Sequence, residues 1–361
     1  MNKRKLLNLA HATYSELVYR APEGLAPPPP LIVWEISNKC NLKCSMCALF
    51  GDNKIDLVKG NELSLDEIKN IINSLEESYK FLPYKPFIGI TGGEPFMKRD
   101  IIEVFNYLKK KNFKFSITTN FSIPTKKQIS DLIDSGIQDL RVSIDGPEDI
   151  HNKIRGVNIF KRVIDNLKFV RSHKKGKDLP IKLNCTISRA NMHHIQELIG
   201  IASELKADLS YQFLEFVDDK HFHAHSKVSI SKLGAYYPTK VDRGTLNKEE
   251  TETIITQLNK AKKLAEEKGV KLLFTPDITD NNEIREYHLN INYLHTDACK
   301  FPWGAARINS YGDVFPCIDY IYGNLRKSSF SKVWNNKRAR YFRRTLKKSK
   351  LFPGCIRCCK I

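Results

Sequence analysis

Between residues 31 and 215, short β-type runs alternate regularly with segments of helical period, and this alternation constrains the fold more than any other feature. Residues 31–37, 87–91, 113–119, 140–144, 181–187 and 209–215 read as strands. Residues 65–75, 100–111, 125–135, 160–172 and 192–205 carry apolar side chains at helical spacing. Ser64 and Glu67 form a capping-box signature ahead of the first of these helices, and Gly136 closes the third. Six strands separated by helices require a parallel sheet built from βαβ units. Periodicity alone leaves open whether that sheet is doubly wound or a barrel. In both, chemistry belongs on loops at the C-terminal ends of the strands.

The chain of 361 residues, 41% apolar, has room for one large domain and an appendage. No stretch of eighteen apolar residues occurs, so no transmembrane helix is expected. The basic start, Met1 to Leu7, leads into a short apolar stretch broken by His11, Ser15 and Glu16, which makes a poor signal peptide. A cytoplasmic location is the expectation. Residues 1–20 read as a partly amphipathic helix, and four prolines at 27–30 end it in a stiff linker. From 216 to 298 the pattern loosens, with a helix expected at 251–268 and a short strand at 270–274. His221, His223 and His225 would share one face of a strand and could bind a metal there. With polar neighbours and no obvious carboxylate partner, they read instead as a loop tract. A hairpin is expected over 306–317, turning at Tyr311-Gly312-Asp313, followed by a basic helix near 331–348.

Nine cysteines in a cytosolic chain do not suggest a disulfide scaffold, because that compartment keeps thiols reduced. Cys185 stands alone in an apolar run and reads as a buried core residue. Cys40, Cys44 and Cys47 follow the first strand with C-x3-C-x2-C spacing. Three thiolates this close can hold three irons of a cubic four-iron cluster and leave the fourth iron open to a small molecule. A cluster that only transfers electrons normally has four cysteines. A zinc site would want a fourth Cys or His, and Asn41, Lys43 and Ser45 are poor substitutes. At the end of the second strand, Thr91-Gly92-Gly93-Glu94-Pro95 offers a close backbone approach and a carboxylate suited to an ammonium group.

Together these two motifs resemble those of the radical S-adenosyl-L-methionine (SAM) superfamily. The resemblance implies an α/β fold, a partial (β/α)6 TIM-type barrel. It also implies a catalytic [4Fe-4S] cluster on Cys40, Cys44 and Cys47 that chelates SAM. One electron then cleaves SAM, and the resulting 5′-deoxyadenosyl radical abstracts hydrogen from substrate. Gly92, Gly93 and Glu94 would bind the SAM amino group, and Asn120, Ser143, Asp145 and Arg155 its ribose or carboxylate. Arg155 suits a carboxylate because its planar fork can bind both oxygens. Met46 stands where the family often has an aromatic residue near adenine.

The C-terminal cysteines resemble the SPASM/twitch extension, in which Cys299, Cys317, Cys355 and Cys358 would hold one auxiliary [4Fe-4S] cluster. Cys359 is spare, or replaces Cys358. Taken alone, the same four cysteines would read as a zinc ribbon. The chain thus divides into an N-terminal helix and linker (1–30), a radical SAM core (31–215), a connecting region (216–298) and a small C-terminal auxiliary-cluster domain (299–361). Thirty residues before the first strand are too few for the leader-peptide-binding domain of many peptide-modifying relatives.

A fully ligated auxiliary cluster has no site for substrate but could take an electron from a substrate radical. That suits a dehydrogenase acting on a sugar- or aminocyclitol-like small molecule, with a flavodoxin or ferredoxin as electron donor. Peptide crosslinking or epimerisation is the alternative within the class, with a peptide as substrate. The formal charge is +19, and thirteen Lys/Arg follow Asp319, the last acidic residue. A solvated helix face explains this, as does attraction to an anionic partner. Arg340, Arg343, Arg344 and Lys347 form a wholly cationic stripe expected to face water. A rival of another class is a non-catalytic metal-cluster protein binding RNA through this tail, with Trp334, Tyr341 and Phe342 stacking on bases.

Overall fold

The computed structural model describes residues 16–47, 60–228, 245–317 and 320–358. The rest of the expected N-terminal helix and Cys359 lie outside the described residues, whereas 16–19 are helical. The strands β1 (Leu31–Ser37), β2 (Phe87–Gly92), β3 (Phe115–Thr119), β4 (Asp139–Ser143), β5 (Ile181–Ile187) and β6 (Asp208–Phe213) pair parallel in chain order. They alternate with α1 (Leu65–Tyr79), α2 (Ile101–Lys110), α3 (Lys126–Asp134), α4 (Glu148–Arg155), α5 (Phe160–Ser172) and α6 (Leu198–Glu204). The Ser64–Glu67 capping box forms at the start of α1.

The sheet extends beyond the six expected strands. β7 (Leu272–Thr275), inside the expected connecting region, pairs parallel with β6. At the opposite edge, β8 (Ala305–Ile308) pairs parallel with β1, then antiparallel with β9 (Asp313–Phe315). With β10 (Gly323–Asn324) the order is β10-β9-β8-β1-β2-β3-β4-β5-β6-β7, an open, partial barrel. The C-terminal hairpin therefore covers the edge of β1, which would otherwise expose unpaired backbone groups.

Parallel sheets are usually apolar on both faces. In β5 and β6 only the helix-covered face is. In β5, Ile181, Leu183, Cys185 and Ile187 are buried, while Lys182, Asn184 and Thr186 are half-exposed. In β6, Leu209, Tyr211 and Phe213 are buried, against half-exposed Asp208, Ser210 and Gln212. Each fully buried Leu, Ile or Phe contributes roughly 1.5–3 kcal/mol, so the outer layer stabilises the sheet. In β5 and β6 the inner face is left polar and open.

Several expectations for the later part of the chain are corrected. His221, His223 and His225 lie neither on a strand nor in a loop but in a short helix, α7 (Asp219–Ser226), capped by Asp218. At 3.6 residues per turn His223 points away from the face that His221 and His225 share. His221 pairs with Asp218 at 2.6 Å, and buried His225 accepts a hydrogen bond from the Gly354 N–H.

After α8 (Lys248–Lys268), α9 (Asn281–Leu289) and α10 (Phe301–Gly304), the basic segment forms two helices, α11 (Phe330–Trp334) and α12 (Lys337–Ser349). Asn336 divides them by capping α12. The cationic stripe of α12 does not face water as a whole. Arg343 is fully buried, 4.1 Å over the Trp334 ring, and donates to the carbonyls of Pro302, Gly24 and Trp334. Arg344 pairs with Glu23 at 2.6 Å, Arg340 donates to the Glu23 carbonyl, and Lys347 lies over the Tyr19 ring. The stripe clamps residues 19–24, because the linker supplies carbonyls that need donors. Trp334 and Phe342 are buried as well, so neither can stack on a base.

Candidate active site and auxiliary-cluster site

The cysteine loop leaves β1 and is held from three sides. The Gly93 N–H donates to the Ser37 carbonyl at 2.8 Å, and the Glu94 N–H to that of Lys39 at 2.7 Å. Gly92 adopts φ +138°, and a Cβ there would collide with the Ser37 carbonyl oxygen. Glycine is therefore required where the second strand meets the loop. From β3, the Asn120 amide donates to Asn41 Oδ1 at 2.9 Å, and Asn41 donates to Ser122 Oγ at 3.1 Å. From α4, the Ile154 carbonyl accepts from the Ser45 N–H.

These contacts frame a cleft of about 400 Å³ at the C-terminal ends of the strands. Cys40, Cys44, Cys47 and Met46 line one wall, with Gly92, Gly93, Asn120, Ser143 and Arg155 around them. Glu94 and Asp145 do not line it. The Glu94 carboxylate is fully buried and accepts from Thr119 Oγ1 (2.7 Å), the Asn120 N–H (2.7 Å) and the Phe96 N–H (3.1 Å). Burial pushes its pKa up to about 7, against the pull of these donors. Asp145 lies behind Arg155, its carboxylate 2.6 Å from the guanidinium, and Arg155 Nη1 reaches Cys44 Sγ at 3.5 Å. Burial raises the Cys44 thiol while Arg155 opposes that shift, and burial pushes Cys40 up to about 11.

The cleft wall also carries an ion pair that is not among the expected site residues, Glu35 of β1 with Arg307 of β8. Glu35 was visible as the one charge within the apolar run Leu31–Ser37. Arg307 gave no such signal, because its partner Glu35 lies 272 positions away and the two meet only where β8 pairs with β1. Thr186, Gln212 and Glu215 complete the same polar wall.

Backbone contacts tie Cys299 to the segment ahead of Cys355 and Cys358. The Cys299 N–H donates to the Lys350 carbonyl, just ahead of the segment carrying Cys355 and Cys358. The Cys358 N–H donates to the Cys355 carbonyl at 3.3 Å, and Cys317 follows β9. Burial pushes Cys299 up to about 11. Among the described residues, no three His, Cys, Asp or Glu side chains converge tightly enough for a single ion. Both donor sets are thiol-only, three and four, and fit multi-iron groups, which hold their thiolates further apart than one ion does. Buried thiols favour the neutral form, so ligation by positive iron is what would make them thiolates.

Residues 34–200 match the model of the radical SAM superfamily, and residues 299–359 match that of an iron–sulfur cluster-binding domain, SPASM. An AdoMet-dependent heme synthase of Methanosarcina barkeri is 27% identical over 91% of this chain and 88% of its own. A PqqA peptide cyclase of Bradyrhizobium diazoefficiens is 24% identical over 86% of this chain and 74% of its own. In fold, the chain resembles SuiB of Streptococcus suis bound to S-adenosylmethionine, with TM-score 0.63 and 17% identity over 93% of this chain and 72% of that one. It also resembles anSMEcpe with bound AdoMet, with TM-score 0.59 and 17% identity over 87% and 82%. No described helix is long and apolar enough to cross a membrane. With a catalytic and an auxiliary [4Fe-4S] cluster implied by its two domains, the chain belongs to the radical SAM superfamily, in its SPASM-containing branch.

Proposed function

We propose that the protein is a radical SAM oxidoreductase acting on a polar, ionised substrate held between the three-cysteine wall and the Glu35–Arg307 pair. The observation that carries this reading is the composition of this cleft: three thiols and a SAM-type rim on one side, charged and amide side chains on the other. When bound, the three-thiolate cluster and SAM supply a hydrogen-abstracting 5′-deoxyadenosyl radical, and the auxiliary cluster supplies a one-electron acceptor. Gly92 and Gly93 let the backbone approach SAM, and Asn120 and Ser143 offer it polar groups. Arg155 offers a cation both to Cys44 and to a carboxylate in the cleft. Glu94 and Asp145 act from behind, fixing Asn120 and Arg155. A flavodoxin or ferredoxin would deliver the reducing electron.

Oxidation of a sugar or aminocyclitol draws no support from the relatives that span most of the chain, which are named for heme synthesis and peptide cyclisation. A peptide substrate is the second reading, favoured by the peptide-cyclase relative. The test is transfer of deuterium to 5′-deoxyadenosine. Reduced enzyme and SAM are incubated with size-fractionated metabolites from cells grown in heavy water. Label arising with the low-mass or the peptide fraction identifies the substrate class. Unlabelled product with every fraction would overturn the reading.

A further inference from the structure

A second arginine, after Arg343, is buried with no carboxylate paired to it among the described residues. Arg357 lies between Cys355 and Cys358 and is 2% exposed. Its Nη1 donates to the carbonyls of Tyr293 (2.8 Å) and Ile356 (2.7 Å), and its Nη2 to that of Asn290 (2.7 Å). Its guanidinium stands 4.8 Å from the Tyr287 ring centroid and 5.4 Å from that of Phe216. Every hydrogen-bond partner is thus a neutral carbonyl, and its Nε has none. Asp218, the one carboxylate whose field it feels, is committed to capping α7 and to His221. Its neighbour His288 cannot supply the missing charge. Burial, and then the Arg357 cation itself, hold that imidazole down to about 4, and neither ring nitrogen has a hydrogen-bond partner.

An uncompensated buried cation is strongly unfavourable. At the catalytic end, the buried arginine is balanced by Asp145 and the half-buried one by Glu35. Arg343 also lacks a carboxylate, but all three of its nitrogens donate to carbonyls, whereas Arg357 Nε is left without a partner. At the auxiliary end, the missing anion is what four thiolates around a four-iron core would supply, since the fully ligated cluster carries net negative charge. The Ile356 carbonyl that Arg357 grips belongs to the loop between two of those thiolates.

We propose that Arg357 is the built-in counter-charge of the auxiliary cluster, a positioning residue that fixes the Cys355–Cys358 loop and raises the cluster's reduction potential. The inference rests on the two-cluster reading above. One-electron reduction adds negative charge to a group whose ligands Cys355 and Cys358 flank Arg357, with no bond made or broken, so the cation favours the reduced state. Net charge near a cluster is one of the factors that set its potential.

The test uses the full chain with Cys40, Cys44 and Cys47 replaced by alanine, so that the auxiliary cluster alone is titrated. Its midpoint is read by electron paramagnetic resonance during anaerobic titration with dithionite and mediator dyes. Arg357→Gln is expected to move the midpoint to more negative potential, and Arg357→Lys to leave it near the parent value. A fully loaded Arg357→Gln protein with the parent midpoint would overturn the proposal. If that variant fails to assemble a cluster, His288→Glu and His288→Gln decide. The glutamate would neutralise Arg357 and lower the midpoint, whereas the glutamine would not. Equal midpoints for the two would overturn the proposal. Zinc in place of iron in the parent tail is a different failure, that of the two-cluster reading itself.

Discussion

The guanidinium of Arg155, at the end of α4, reaches the thiol of Cys44 at 3.5 Å across 111 residues of sequence. Its other nitrogens hold the buried carboxylate of Asp145 at 2.6 Å. The catalytic loop is thereby tied to the fourth strand through one buried cation. Removing one member of such a pair leaves the other charge buried and costs about 3–5 kcal/mol. Arg155→Gln is expected to lower the unfolding free energy of the apoprotein by that order, seen as a lower chemical denaturation midpoint, and to load the catalytic cluster poorly. Arg155→Lys should keep most of the stability but lose the two-pronged contact. Equal midpoints for Arg155→Gln and wild type would show that the pair is not structural.

Two thiol sets of three and four imply two four-iron clusters. Anaerobic reconstitution should give about eight irons per chain. A value near four, with zinc retained in the tail, would contradict the auxiliary cluster.

The basic helix α12 yields a paired prediction. Arg343→Met should destabilise the protein by about 1–3 kcal/mol or more, because it leaves the carbonyls of Gly24, Pro302 and Trp334 without their donor. Arg340, Arg344 and Lys347 are exposed or half-exposed, and each change to Gln should cost under about 1 kcal/mol. Thermal unfolding of the four variants distinguishes a clamp from a solvated face. Equal losses at all four positions would contradict the clamp.

Local signals survived into the structure where the chemistry is local. The strand–helix alternation, the Ser64–Glu67 box and the turn at Gly312 depend on near neighbours, and each appears as expected. So does the burial of Cys185. Readings that depend on distant partners were not legible. A cationic stripe looks the same whether it meets water or the carbonyls of residues 21–24, so Arg343 was misassigned. Glu94 and Asp145 were recognisable as carboxylates on the rim, but only the fold shows that the chain's own donors occupy them. Strand β7 was visible as a short strand, yet nothing in its four residues announced that it would lengthen the sheet.

Glu94 should give stability a pH dependence. Its pKa is about 7 in the folded chain, against 4.5 for the ordinary carboxyl. The raised folded value means that its contribution is fully present below about 4.5 and is lost as pH rises through 7. Between those values, wild-type apoprotein should lose stability relative to Glu94→Gln, with a slope of up to about 1.4 kcal/mol per pH unit. Urea denaturation of both proteins at pH 5, 6 and 7.5 measures that difference. A difference independent of pH would mean that Glu94 stays ionised throughout.

Reductive cleavage of SAM tests the central claim most directly. Reduced, reconstituted wild-type protein incubated anaerobically with SAM should release 5′-deoxyadenosine. Cys44→Ala, which removes one of the three thiols on the cleft wall, should remain folded and release none above the protein-free background. Equal product from the two proteins would contradict the assignment of Cys40, Cys44 and Cys47 as ligands of the catalytic cluster.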